Sequence, residues 1–106
     1  MSFEDGNGAS GYQVTYSASV LQEVMQLRTG LTDAEDVRRF DAALRVIQAR
    51  LRTDPAAFGE HQYSLPHLAT AVREAAVRPL VVSYAVHNSL PIVFVRWFKL
   101  LGGKKV

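Results

Sequence analysis

The sequence predicts an α+β domain: an antiparallel helical hairpin packed on one face of a small, about four-stranded, mainly antiparallel sheet. Three observations carry that reading. YQVTY, residues 12–16, alternates apolar and polar side chains as a half-buried strand does. Two following runs place apolar residues every three or four positions, the spacing of an amphipathic helix. PLVVSYAVHNSLPIVFVRWF, residues 79–98, then offers two strand-length apolar segments separated by turn residues.

In the first helical run, Ser17 is a natural N-cap and Val20, Val24, Leu27 and Leu31 recur on one side, with Gly30 marking a break. Thr32 and Glu35 form a T-x-x-E capping box that predicts a second helix from Asp33. Its stripe is Val37, Phe40, Leu44, Ile47 and Leu51, narrow enough for one packed side. Acids gather at its start and Arg50 and Arg52 at its end, complementing the helix dipole. Glu35–Arg39 and Asp41–Arg45 are favourably spaced ion pairs. Pro55 disfavours the α conformation at Asp54 and ends the helix. Residues 55–69 read as a loop packed onto the domain by Phe58, Tyr63, Leu65 and Leu68, and residues 71–78 as a further strand.

A chain of 106 residues is long enough for one domain with a thin core. The expected division is a flexible tail over 1–11, a single domain over 12–101 and a short tail over 102–106. MSFEDGNGASG has neither the basic nor the apolar region of a signal peptide. The chain has no cysteine, so disulfides, thiolate metal sites and cysteine nucleophiles are excluded together. Nine of the ten acids lie within residues 1–60, and after Glu74 every charged residue is basic. That asymmetry favours an anionic partner for the C-terminal half.

Residues 79–98 are apolar enough to raise the question of a bilayer span. His87, Asn88, Ser89, Pro91 and Arg96 interrupt them too often, and the β-rich composition favours a hairpin of Leu80–Val86 and Ile92–Phe98. No membrane is expected as a partner. Both faces of this hairpin are apolar: Leu80, Val82, Tyr84 and Val86 on one side of the first strand, and Ile92, Phe94 and Phe98 against Val93, Val95 and Trp97 in the second. Two helices cover only one face. The other is expected to meet a second polypeptide, with Trp97, Val95 and Val93 as its interface and Trp97 as its anchor.

The order of strand, helical hairpin, loop and antiparallel strands resembles the RelE/ParE superfamily of toxins. YQVTYSASVLQEV is similar to that family's first strand and helix, LRTDPAAFGEHQYSL to its D-P and glycine loop, and VREAAVRPLVVSYAVHNSLPIVFVRWF to its core sheet. The likeness spans about residues 12–99 and rests on order and spacing. It implies a type II toxin whose partner is a cognate antitoxin wrapping the sheet, with a homodimer as the form expected without antitoxin. One branch cuts mRNA on the ribosome without a metal or other cofactor; another poisons DNA gyrase and needs no nuclease residues. From a different class, a non-catalytic interaction module accounts for the same apolar face.

For the endoribonuclease branch, cations hold the phosphate and a base assists the 2′-hydroxyl. The resemblance points to Arg73 and Arg78 for the first task. His67 is the general-base candidate among the three histidines, and no metal spacing joins them. Arg96 and Lys99 fall at the basic end of the last strand and, with Arg45 on the second helix, are the expected contacts to RNA or phosphate. The chain departs from the nuclease pattern in three places. No lysine pair precedes Arg73, Leu80 and Val81 stand where a second strand arginine is common, and LLGGKKV replaces a basic-x-Tyr tail. Each candidate also has an ordinary reading: solvated strand ends for the arginines, a loop residue for His67, and a flank of the buried seam for Arg45.

Overall fold

The computed structural model describes residues 11–101, so both expected tails lie outside the described residues except for Gly11. In chain order the elements are β1 (Gln13–Tyr16), α1 (Ala18–Thr29), α2 (Ala34–Thr53), the single-turn α3 (Pro55–Phe58), β2 (Glu60–Leu65), a 3-10 turn (Pro66–Leu68), β3 (Thr70–Val77), β4 (Leu80–His87) and β5 (Ile92–Leu100). They build one five-stranded sheet in the order β1-β5-β4-β3-β2. β1 runs parallel to β5, and every other neighbour pair is antiparallel.

Ser17 caps α1 as expected, its Oγ accepting from the Val20 amide at 3.2 Å. The second cap differs from the expected box. Asp33, not Thr32, is the N-cap of α2, and its carboxylate accepts from the Glu35 amide at 2.8 Å. An ionised acceptor makes the stronger bond to orphan amides at the positive end of a helix. Glu35 pairs with Arg38 and Arg39 on its own helix. Asp41 does not take Arg45 as its partner; Arg28 of α1 claims it through Nε and Nη2 at 2.8 and 2.9 Å, tying the two helices together.

The sheet has one more strand than the sequence suggests. Glu60–Leu65 pairs with β3 and is exposed along almost its whole length. As an exposed edge strand it offers only Tyr63 and Leu65 as alternating apolar side chains, too few for pattern reading to tell it from a loop. Gly59 admits the chain to this position. A Cβ there would stand 2.7 Å from the Glu74 carbonyl oxygen and 2.7 Å from the Tyr84 hydroxyl, so only glycine fits the approach.

The core lies between the helices and one face of the sheet. Phe40, Ala43, Ile47 and Leu51 of α2, with Val20 of α1, pack on Ala75, Leu80, Val82, Tyr84, Val86, Val93, Val95 and Phe98. Tyr84 is fully buried and donates to the Pro55 carbonyl at 2.7 Å, fastening α3 beneath α2. The phase of β5 holds a correction. Tyr84 pairs with Val95 and Ser83 with Trp97, so Arg96 is an extra residue that shifts the strand by one. Phe98 therefore joins Val93 and Val95 in the core. The sequence, read as uninterrupted alternation, placed Phe98 opposite them. Beyond the end of β1 the edge of β5 is open, and there Glu23 of α1 accepts from the Phe98 amide at 3.1 Å.

Candidate interaction surface on the open sheet face

The face turned away from the helices has no helix over it among the described residues. Cross-strand pairing places Thr70, Val72 and Glu74 of β3 opposite His87, Ala85 and Ser83 of β4, with Leu65 and Tyr63 beside Thr70 and Val72. Phe94 lies beside Ala85 on the other flank. Val72, Val81, Ser83 and Ala85 are nonetheless buried. Small residues fill the centre, and one long side chain lies across them. Arg96 Nη1 donates to Ser83 Oγ at 3.0 Å, and its guanidinium carbon sits 5.8 Å from the centroid of Tyr63, over two strands away. A planar cation laid on an aromatic ring while its stem covers apolar surface is how arginine shields a sheet without a second layer. At the other end of the strand, Lys99 Nζ stands 5.0 Å from the Trp97 ring centroid.

The most exposed large apolar side chains of this face gather towards one end. Leu65, Leu68, Thr70, Ala85, His87, Phe94 and Arg96 line a concavity of ≈ 380 Å³. Phe94 is 41% and Leu68 57% exposed, values far above those of the central strands. The surface is thus narrower than the wholly apolar second face expected from sequence.

The structure separates the residues expected to work together. Arg73 pairs with Tyr84 and so lies on the helix side of the sheet, where its Nε and Nη2 donate to the Gly59 carbonyl at 3.1 and 2.8 Å. His67 stands exposed on the 3-10 turn before β3, while Arg78 follows its far end beside Arg39 and Leu101. An eight-residue strand holds them roughly 25 Å apart, too far for one phosphate. Arg45 is exposed on α2, behind the sheet. Of the expected cations, Arg96 is on the open face and Lys99 shares that strand's exposed side. Val93 and Val95, expected at the partner interface, are placed in the helix-side core and are buried there. Trp97 is half-buried under Lys99. Thr70, Tyr63, Leu65, Leu68 and Phe94 were not singled out as a site by sequence. The available signal was Ser83, a small polar side chain within a mostly apolar strand that calls for a partner.

Among the described residues no three His, Asp or Glu side chains gather where a metal ion could sit, and no helix is long and apolar enough to cross a membrane.

No protein-family model matches the chain, and no curated protein matches it. A solved structure does. The RelE chain in the archaeal RelE–RelB complex from Pyrococcus horikoshii OT3 superposes with a TM-score of 0.57 at 14% sequence identity, over 88% of this chain and 98% of that one. The fold is RelE-like. In this RelE-like domain the helices and the five-stranded sheet are shared architecture, and at such low identity the site must be argued from the chain's own residues.

Proposed function

We propose that this RelE-like chain is the toxin of a toxin–antitoxin pair and that its antitoxin docks on the open sheet face. The observation that carries the reading is that face itself: a sheet layered on one side only, with exposed Phe94, Leu68 and Tyr63 beside the cation of Arg96. The solved neighbour was itself captured in a RelE–RelB complex, which supports a protein partner for this fold. The basic C-terminal third complements an acidic one.

For the target, the geometry favours action through binding over ribosome-dependent cleavage of mRNA by the expected catalytic set. Arg73 is engaged by Gly59, and His67 and Arg78 stand at opposite ends of β3. Arg96 and Lys99 are the two cations left to hold RNA on the exposed side of β5. A gyrase-inhibiting mode, which needs no nuclease residues, is compatible with that arrangement, as is a plain interaction module.

Induced expression in a bacterial host tests the toxin reading. Growth arrest, relieved by co-expressing the short reading frame adjacent to the gene, is the expected result. Normal growth at high expression of soluble, folded chain would remove it. If arrest occurs, mRNA cleavage mapped in the arrested cells and abolished by Arg96→Ala with Lys99→Ala would establish the nuclease mode; intact mRNA would dismiss it.

A further inference from the structure

The concavity at the end of the open face has features that a merely uncovered sheet lacks. Its lining combines the apolar Leu65, Leu68, Ala85 and Phe94 with the polar residues Thr70, His87 and Arg96. Thr70 is 4% exposed, and its Oγ1 is buried without any hydrogen-bond partner. A buried hydroxyl left unmatched is destabilising, so a partner that supplies an acceptor gains from finding it. Arg96 uses Nη1 on Ser83, which leaves the remaining N–H groups of its fork for an anion at the rim.

We propose that this concavity is an anchor pocket for the partner polypeptide, taking one apolar side chain that is followed directly by a carboxylate. The apolar side chain fills the space between Leu65, Leu68 and Phe94. The carboxylate reaches the guanidinium of Arg96, and an adjacent carbonyl or carboxylate oxygen accepts from Thr70. A nucleic acid fits less well. A phosphate track needs several cations in a row, and this pocket has mostly apolar walls with a single arginine. The inference rests on the toxin–antitoxin reading only for who the partner is; the pocket's chemistry stands on its own residues.

The test uses the full chain, labelled with nitrogen-15, and short probes followed by amide chemical shifts. The probe is N-acetyl-Leu-Asp-amide, with the Leu-Asn and Gly-Asp analogues as controls and uridine 3′-monophosphate as the nucleotide arm. The Leu-Asp probe should move the amides of Thr70, Ala85 and Phe94 in a saturable way. Both control peptides should bind at least about fivefold more weakly, as expected when a charge-assisted bond or an apolar anchor is lost. Arg96→Gln should erase the preference for Leu-Asp over Leu-Asn. Thr70→Val, which keeps the shape and removes the hydroxyl, should weaken binding while leaving the spectrum folded. Equal binding of the three peptides, shifts away from the pocket, or no shifts at all would overturn the proposal. Tighter binding of the nucleotide at these amides would overturn it in favour of RNA. Growth arrest with rescue but no peptide binding would sink the pocket alone; peptide binding without arrest would sink the toxin reading alone.

Discussion

Arg73 is a clamp on Gly59. Both its Nε and its Nη2 donate to that one carbonyl oxygen, at 3.1 and 2.8 Å, from the helix side of the sheet. The clamp holds the start of β2 against β3 at the point where Gly59 presses on the Glu74 backbone. Arg73→Ala should therefore lower the stability of the fold. Hydrogen bonds from a charged donor contribute about 1.5–3 kcal/mol, so a melting-temperature drop of roughly 6–20 °C is expected. Thermal unfolding followed by circular dichroism checks this. An unchanged midpoint would mean that the Arg73 clamp is dispensable for the fold and would leave its guanidinium free for another role.

Tyr84 links the sheet to α3 through its bond to the Pro55 carbonyl. Tyr84→Phe leaves that carbonyl buried and unmatched and should cost about 1–2 kcal/mol. The same residue gives the protein an alkaline limit. Burial raises the Tyr84 phenol above its ordinary value of 10.0, against the opposing pull of the Gly59 backbone and Arg73; burial likewise raises Tyr16. With the folded value above the unfolded one, the stabilising contribution is intact below pH 10 and is lost as pH rises through the folded value. Stability should fall above pH 10, and less steeply in Tyr84→Phe because Tyr16 alone then contributes. Denaturant titrations across that pH range decide it; equal slopes in both proteins would contradict it.

Ala69 sits in the left-handed region at φ 52°, between the 3-10 turn and β3. Its amide donates to Pro66 and its carbonyl accepts from Asn88, so the conformation is held by its neighbours. A Cβ in that region costs about 1–2 kcal/mol, partly offset by glycine's larger freedom in the unfolded chain. Ala69→Gly should stabilise the protein by about 0.5–1 kcal/mol, read as a higher denaturant midpoint with an unchanged slope. A lower midpoint would show that the turn is not strained.

Acid titration should expose the arginine–carboxylate pairs. Hydrogen bonds from Arg28 and Arg50 hold the carboxyls of Asp41 and Asp54 below the ordinary 3.8. For carboxyls lowered on folding, the contribution is present above the unfolded value and lost as pH falls through the folded one. The double variant Asp41→Asn with Asp54→Asn should show a flatter loss of stability below pH 3.8 than the wild type. Matching acid limbs would mean that these exposed pairs add nothing measurable.

The helices, the hairpin and the third core strand were legible because each buries a side with a regular period. β2 was not, since an exposed edge strand needs backbone partners and no apolar code. The bulge at Arg96 was equally hidden: one unpaired residue reverses which side chains face the helices, and only the pairing with Ser83 and Tyr84 reveals it. It is also why Val93 and Val95 share the helix side with Phe98, where uninterrupted alternation puts them on opposite faces. The site suffered from the same cause. Arg73 was noticed as a cation, but the sheet's pleat turned it inward; the Thr70 pocket joins residues of β2, β3, β4 and β5 that no local motif connects.

The most direct measurement is calorimetric titration of the purified chain with its proposed antitoxin, comparing the wild type with Phe94→Asp. A charge placed at the centre of the apolar concavity should weaken binding at least about thirtyfold, the scale of a hot-spot residue. Met25→Asp, on the exposed flank of α1, should bind as the wild type does. Undiminished affinity in a folded Phe94→Asp variant would contradict docking on the open face.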